Sequence, residues 1–519
     1  MHSILSIPKE SGAMALNHAY PWTPDQSDGT FCNPIIHADY SDPDVIRAGE
    51  DFYLTSSSFN CTPGLPVLHS KDLVNWTIIN HAVNNLPHPR YAEVRPGCGI
   101  WAPSLRFHAG KFWIFYSMPD EGVYVTTANH PAEKWSEPHL VLEGRGLIDP
   151  CPLWDDDGKA YLVHAYARSR SGIQHTLRVR PMAADGSGVP GEGEIVFHKP
   201  EKHPTVEGPK FLKKDGWYYI LAPAGGVENG WQVALRSRNI YGPYEDKTVL
   251  EQGSTSVNGP HQGALVDTVN GDWWFVHFQD AGIYGRITHL QPVKWRDGWP
   301  VMGSDQHRKG AGQPVMHHTK PEGAANGHFI IPQTSDEFES PKPGLQWQWH
   351  ANHNDDWYSL SARKSWLRLY PQPAPHNNLA QSPNLLLQKF PARSFTVETL
   401  LEFAPKQTGE EAGLIVAGES FATLALEKKD AGNQLVMRIN GVQKFVRDPA
   451  PDAVKLRVEV KEGGLCLFSF AFQGDFVVIP QTFSARKGVW IGAKVGLYSL
   501  KPLQRAPAGH VDVDYFRFM

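Results

Sequence analysis

A chain of 519 residues is too long for a single hydrophobic core, so at least two folding units are expected. With 41% hydrophobic and only 20% charged residues, and with 47 glycines and 42 prolines, the composition fits short strands joined by turns rather than long helices or a disordered chain. A net charge of -5 excludes a strongly basic nucleic-acid-binding surface, and no run of about 18 apolar residues predicts a membrane-spanning helix.

Residues 1–27 read as a polar N-terminal tail without the continuous apolar stretch of a secretion signal. The five cysteines are an odd number without CxxC spacing, so neither a zinc site nor a disulfide framework is expected. Both features lead to the expectation of a cytoplasmic protein, and the lack of a basic excess to that of a small or uncharged partner.

From residue 28 to 303 the chain repeats a phrase: a strand, a turn ending in glycine, and a second strand with an aromatic residue near its start. The turn glycines are Gly49, Gly110, Gly158, Gly216 and Gly271, spaced by 61, 48, 58 and 55 residues, and the aromatics are Tyr53, Trp113, Tyr161, Tyr219 and Trp274. Glycine at a hairpin turn supplies positive φ. Repeats of this length with additional strands between them predict a β-propeller of five four-stranded blades.

The residues that open the first strand of each repeat are Asp42, Trp101, Asp149, Glu207 and His261, which lie 7, 9, 9, 9 and 10 residues before their glycines. Equivalent positions of a radial repeat converge on the axis. Three carboxylates, an indole and an imidazole are therefore expected at one place. A pair of carboxyl groups across an open pocket is the machinery of glycoside hydrolysis, one giving a proton and the other activating water or attacking the sugar. A third carboxylate would keep the acid protonated.

Residues 304–333, rich in Gly, His, Lys and Pro, read as a linker. From 334 to 519 alternating apolar residues return, as in Phe395-Thr396-Val397-Glu398-Thr399-Leu400-Leu401, without the repeated phrase; this predicts a β-sandwich. The fold class is thus all-β.

The chain resembles glycoside hydrolase family 43. The resemblance rests on Asn33-Pro34-Ile35, Ser41-Asp42-Pro43-Asp44, His69-Ser70-Lys71-Asp72-Leu73-Val74-Asn75-Trp76, Ile100-Trp101-Ala102-Pro103-Ser104, Ile148-Asp149-Pro150, Val206-Glu207-Gly208-Pro209 and Asp297-Gly298-Trp299-Pro300, all in family order. It implies that Asp42 is the general base, Asp149 the carboxylate that tunes and orients the acid, and Glu207 the general acid. Asp44 is a rival acid two residues on, but Asp42 precedes the motif proline. The resemblance further implies that Arg286 contacts the sugar and that Trp101 and Phe59 wall the pocket. No cofactor is expected to be required. In some relatives a histidine like His261 holds a central calcium through water, and His261 is either such a neighbour or a plain axial histidine.

The C-terminal region resembles the lectin-like sandwich of β-xylosidases and arabinofuranosidases in this family. A sandwich loop that closes the pocket would favour release of single sugars, and His353-Asn354-Asp355-Asp356-Trp357-Tyr358 is the expected loop. The implied activity is exo-acting, inverting release of terminal α-L-arabinofuranosyl or β-D-xylosyl residues from plant hemicellulose oligosaccharides. Arabinose ranks slightly ahead because Asn60-Cys61-Thr62 stands where dedicated xylosidases carry bulkier aromatics. An endo-arabinanase and a non-catalytic sugar-binding propeller are the alternatives. A metal-dependent hydrolase is disfavoured, because the site heads contain no HxxxH-type ligand pair.

Overall fold

The computed structural model describes residues 21–322, 329–374, 378–503 and 508–519. Five four-stranded antiparallel sheets follow one another, each with its strands in sequence order. Their first strands are Asp44–Ala48, Trp101–His108, Leu147–Trp154, Lys210–Lys214 and His261–Asp267. These inner strands stand around the axis, where the first strand of blade 2 touches those of blades 1 and 3. The five turn glycines have φ between +66° and +88°. A Cβ would meet nothing within 4 Å at Gly49, Gly110, Gly158 or Gly271, so left-handed backbone rather than crowding selects glycine there.

The ring closes between blades 5 and 1 through one apolar cluster that joins Val45 and Leu54 to Ala264, Val276 and Leu290, with Phe31, Ile35 and Ile36 packed in from the incoming chain. Asn33 pins this segment: Nδ2 donates to the carbonyls of Leu290 and Val315, and Oδ1 accepts from the Leu290 N–H, each at 2.8 Å. Thr30–Cys32 pairs with His317–Thr319. Further along, the Gln333 side chain hydrogen-bonds both backbone groups of Ile78. The described parts of the stretch read as a linker therefore lie against the propeller, and Lys320 sends an ammonium to buried Asp25, 2.8 Å away.

The C-terminal unit consists of two packed sheets, antiparallel except where 372–373 pairs in parallel with the end of 494–501 in the first. One runs in the order 348–349, 386–389, 494–501, 411–417, 421–429, 432–439, 442–450, and the other 358–359, 367–369, 510–518, 395–404, 453–460, 465–471, 477–484. Phe395–Ala404 buries every second side chain, as a strand with one face on a sandwich core must. The sandwich docks on blade 1 by backbone pairing of Thr62 with Trp349 (3.0 and 2.6 Å), and on blade 5 through Ala493 N–H to the Ile283 carbonyl at 2.7 Å.

Candidate active site

Three of the five blade heads sit where the inner strands break their register. Pairing slips between Trp101 and Ser104, between Ile148 and Cys151, and between His261 and Gly263. Such a bulge re-aims side chains without interrupting the sheet. Asp42 and Asp149 adopt left-handed backbone, φ +53° and +57°, which turns their carboxyl groups over the axis. Gly208 is also left-handed, and a Cβ there would lie 2.8 Å from Gln262 Cδ. Glycine lets the chain approach closely enough for the Gly208 N–H to reach Asp149 Oδ2 at 2.8 Å.

Asp42, Asp149, Glu207, Arg286, Phe59 and Trp101 all line one cavity of about 550 Å³ at the axis. Asp42 is ion-paired with Arg286, whose Nη1 donates to Oδ1 at 2.8 Å and to Ser41 Oγ at 2.8 Å. Asp42 Oδ2 accepts from Ser57 Oγ at 2.6 Å and from Ser41 Oγ at 3.0 Å. Ser57 in turn accepts the Ala102 N–H at 2.7 Å, so two blades hold Asp42 in place. Neither the repeated phrase nor the family resemblance assigns a role to these two serines.

Burial lifts the pKa of Glu207 above the usual carboxylate range, the Asp149 charge lifts it further, and Arg286 opposes both. Burial likewise raises Asp149, but the Gly208 N–H favours its ionised form. Of the two, Glu207 is the group suited to hold a proton at neutral pH. Its nearest ring is His261, with Nε2 3.6 Å from Oε1. Burial and Arg286 push His261 down to about 3, so the imidazole is neutral. Both its nitrogens are buried without a hydrogen-bond partner. No group of three or more His, Cys, Asp or Glu that could hold a metal occurs among the described residues.

Asp44, the rival to Asp42, is sealed in the layer beneath. It is fully buried and accepts from the Leu105 N–H and from Arg106 Nη1, both at 2.7 Å. It has no access to the cavity.

Phe59 and Trp101 meet edge to face at 6.3 Å. The sandwich supplies a third ring: Trp490 lies 6.5 Å from Trp101, 5.5 Å from the Arg286 guanidinium, and lines the cavity. The expected loop, His353 to Tyr358, is not there. It is held on blade 1, His353 N–H to Asn85 Oδ1 at 2.9 Å, and Trp357 packs on Trp349 at 5.4 Å. Docking rather than local composition decides which loop reaches the pocket: Asp39 accepts the Gly492 N–H at 2.9 Å and thereby seats the Trp490 turn.

Asn60, Cys61 and Thr62, on which the slight preference for arabinose rested, bind the sandwich instead. Asn60 donates to the His350 carbonyl at 2.6 Å, Cys61 Sγ lies 3.0 Å from Lys494 Nζ, and Thr62 Oγ1 lies 3.1 Å from His353 Nδ1. None of the three lines the catalytic cavity, so they give no ground for ranking the sugars. The outer rim carries Arg168, Gln174, His175, Glu228 and Asn229, from loops of blades 3 and 4 outside the repeated phrase.

Comparison with known proteins agrees with this geometry. Residues 31–300 match Glycosyl hydrolases family 43, and residues 335–519 match the Beta xylosidase C-terminal Concanavalin A-like domain. The chain is 39% identical over 475 residues to a putative beta-xylosidase of Xylanibacter ruminicola, covering 91% of this chain and 86% of the relative. It is 29% identical to a non-reducing end alpha-L-arabinofuranosidase of Bacteroides ovatus, covering 94% of each. The crystal structure of a xylan beta-1,4-xylosidase from Bacillus halodurans C-125 superposes with a TM-score of 0.82 at 25% identity, over 94% of this chain and 99% of that one. Five blades, three converging carboxyl groups and an appended sandwich thus coincide with a match over most of the sequence, and the chain belongs to glycoside hydrolase family 43.

Proposed function

We propose that this glycoside hydrolase removes single β-D-xylosyl or α-L-arabinofuranosyl residues from the ends of hemicellulose oligosaccharides, with inversion. The observation that carries this reading is the unequal trio at the floor of the cavity. Glu207 is raised by burial and by Asp149, while Asp42 is paired with Arg286 and held by two serine hydroxyls. In this reading a water bound by Asp42 attacks the anomeric carbon and gives its proton to Asp42. Glu207 delivers its proton to the departing oxygen, and Asp149 keeps that proton in place until it is needed. Arg286 orients Asp42 and faces the sugar hydroxyls.

The exo mode is supported by Trp490, which narrows the cavity beside Arg286. The choice of sugars is supported by relatives named for β-xylosidase and arabinofuranosidase activity, with the xylosidases at 39% and 31% identity ahead of the arabinofuranosidase at 29%. Xylose therefore ranks first. A reaction by three carboxyl groups needs no cofactor, and activity that survives prolonged treatment with a chelator is the expected result. Xylotetraose and arabinose-substituted xylo-oligosaccharides, followed from the first minute, test the assignment. Only monosaccharide and the shortened chain are expected; internal fragments would support the endo reading instead.

A further inference from the structure

Beneath the catalytic groups the same inner strands carry a second tier of ionisable residues. Asp44 follows Asp42 by two positions, Cys151 follows Asp149 by two, Lys210 follows Glu207 by three, and Arg106 follows Trp101 by five. They form one connected cluster. Arg106 Nη1 donates to Asp44 Oδ2 at 2.7 Å and Nη2 to Cys151 Sγ at 2.7 Å. Lys210 Nζ donates to the Pro103 carbonyl at 2.6 Å and to Ser104 Oγ at 2.9 Å, and lies 3.9 Å from Asp44 Oδ2. The Lys210 side chain is only 3% exposed and that of Asp44 not at all.

Charge balance links the two tiers. The axis holds four carboxyl groups, Asp42, Asp44, Asp149 and Glu207, and three cations, Arg106, Lys210 and Arg286. It is neutral when the carboxyl groups share one proton, as a buried site requires. Asp42 is paired with Arg286 and Asp44 with Arg106. The proton therefore has two seats, Glu207 and Asp149. Lys210, 3.9 Å from Asp44 Oδ2, is the third cation; it follows by two residues the Gly208 whose N–H binds Asp149 at 2.8 Å, and its charge favours ionisation of Asp149.

We propose that Lys210 is a positioning residue of the catalytic trio, whose buried ammonium holds Asp149 ionised and so keeps the shared proton on Glu207. The proposal rests on Glu207 as the acid. The groups facing this pair are Asp42 and Arg286 from above, His261 beside Glu207, and Lys210, Asp44, Arg106 and Cys151 from below.

The test is the pH profile of kcat/KM for Lys210→Gln, whose amide still donates to Pro103 and Ser104 but carries no charge. Loss of the charge penalises every state in which Asp149 is ionised. The productive state, with the proton on Glu207, and the fully ionised state are both such states, so their ratio is unchanged. The unproductive state, with the proton on Asp149, gains on both. The neutral plateau falls, the far basic rates coincide with wild type, and the apparent basic pKa rises; about a tenfold plateau loss goes with about one pH unit. Lys210→Arg restores the wild-type profile.

A loss in Lys210→Gln that is equal at all pH values, without displacement of the basic limb, would overturn the proposal. Should that variant not fold, carboxyl-carbon NMR of the wild-type enzyme, assigned with Asp149→Asn, decides. Asp149 ionised across the plateau supports the proposal and Asp149 protonated there overturns it. Glu207→Gln, assayed alongside, separates the two failures: undiminished activity in that variant defeats the acid assignment itself.

Discussion

Glu207 and Asp44 are both carboxyl groups near the propeller axis, one lining the cavity and one buried out of its reach, and they illustrate opposite uses of burial. Asp44 is wholly enclosed, and its Oδ2 is met by a backbone N–H and a guanidinium. Glu207 keeps 28% of its side chain exposed to the cavity, and a neutral imidazole stands 3.6 Å from it. A buried carboxylate met by a guanidinium and a backbone N–H becomes part of the scaffold, whereas one at a cavity wall without such partners becomes a reagent whose proton can leave.

Removing each group in turn should give crossed results. Glu207→Gln is expected to lower kcat on unactivated xylosides by about 10²–10⁴-fold. Its stability should not suffer. Because Glu207 has a folded pKa above its unfolded one, its ionisation opposes folding; wild-type stability falls as pH rises from the unfolded pKa toward the folded one, and the glutamine variant lacks that fall. Denaturant midpoints measured across this window check the sign. Asp44→Asn strands Arg106 without its anion and should cost about 3–5 kcal/mol of stability, seen as a lower midpoint at an unchanged slope.

Asp149→Asn sharpens the comparison within the upper tier. The Asp149 charge raises Glu207, so its loss should move the basic limb of kcat/KM to lower pH, opposite to the displacement expected for Lys210→Gln. A profile that moves to higher pH would contradict the assigned roles. The smallest effect belongs to the wall: Trp490→Ala removes a ring that touches Trp101 and Arg286. An aromatic contact is worth about 0.5–1.5 kcal/mol, so KM for xylobiose should rise by about two- to tenfold, with kcat changed less.

The propeller was legible because it repeats. Five glycines with positive φ mark the hairpins, and counting back from them finds Asp42, Trp101, Asp149, Glu207 and His261, of which Asp42, Trp101, Asp149 and Glu207 line the cavity while His261 stands beside Glu207. Repetition also sets its limit. Ser57 holds Asp42 from a loop between blade strands, and Lys210 looks like any strand lysine until its 3% exposure is seen.

The sandwich lacks an internal period to align, so its contribution to the pocket was misplaced. The segment 353–358 was chosen for its polar and aromatic character. Trp490 stands in an apolar turn between Gly488 and Gly492, with φ +65° and 48% exposure. An exposed tryptophan between two glycines was the available signal, but its target depends on how Asp39, Ile283 and Thr62 seat one domain on the other. The same docking explains why Asn60, Cys61 and Thr62 misled the choice of sugar. They lie near the pocket in sequence and face away from it in space.

The division of labour between Asp42 and Glu207 predicts a single displacement at the anomeric carbon. Proton NMR of the first turnovers on a β-D-xyloside, recorded before mutarotation, reads this directly. The account predicts that α-xylose appears first and then equilibrates. Initial accumulation of β-xylose would mean a covalent intermediate and a carboxylate nucleophile, and would contradict the role of Asp42 as the base that activates water.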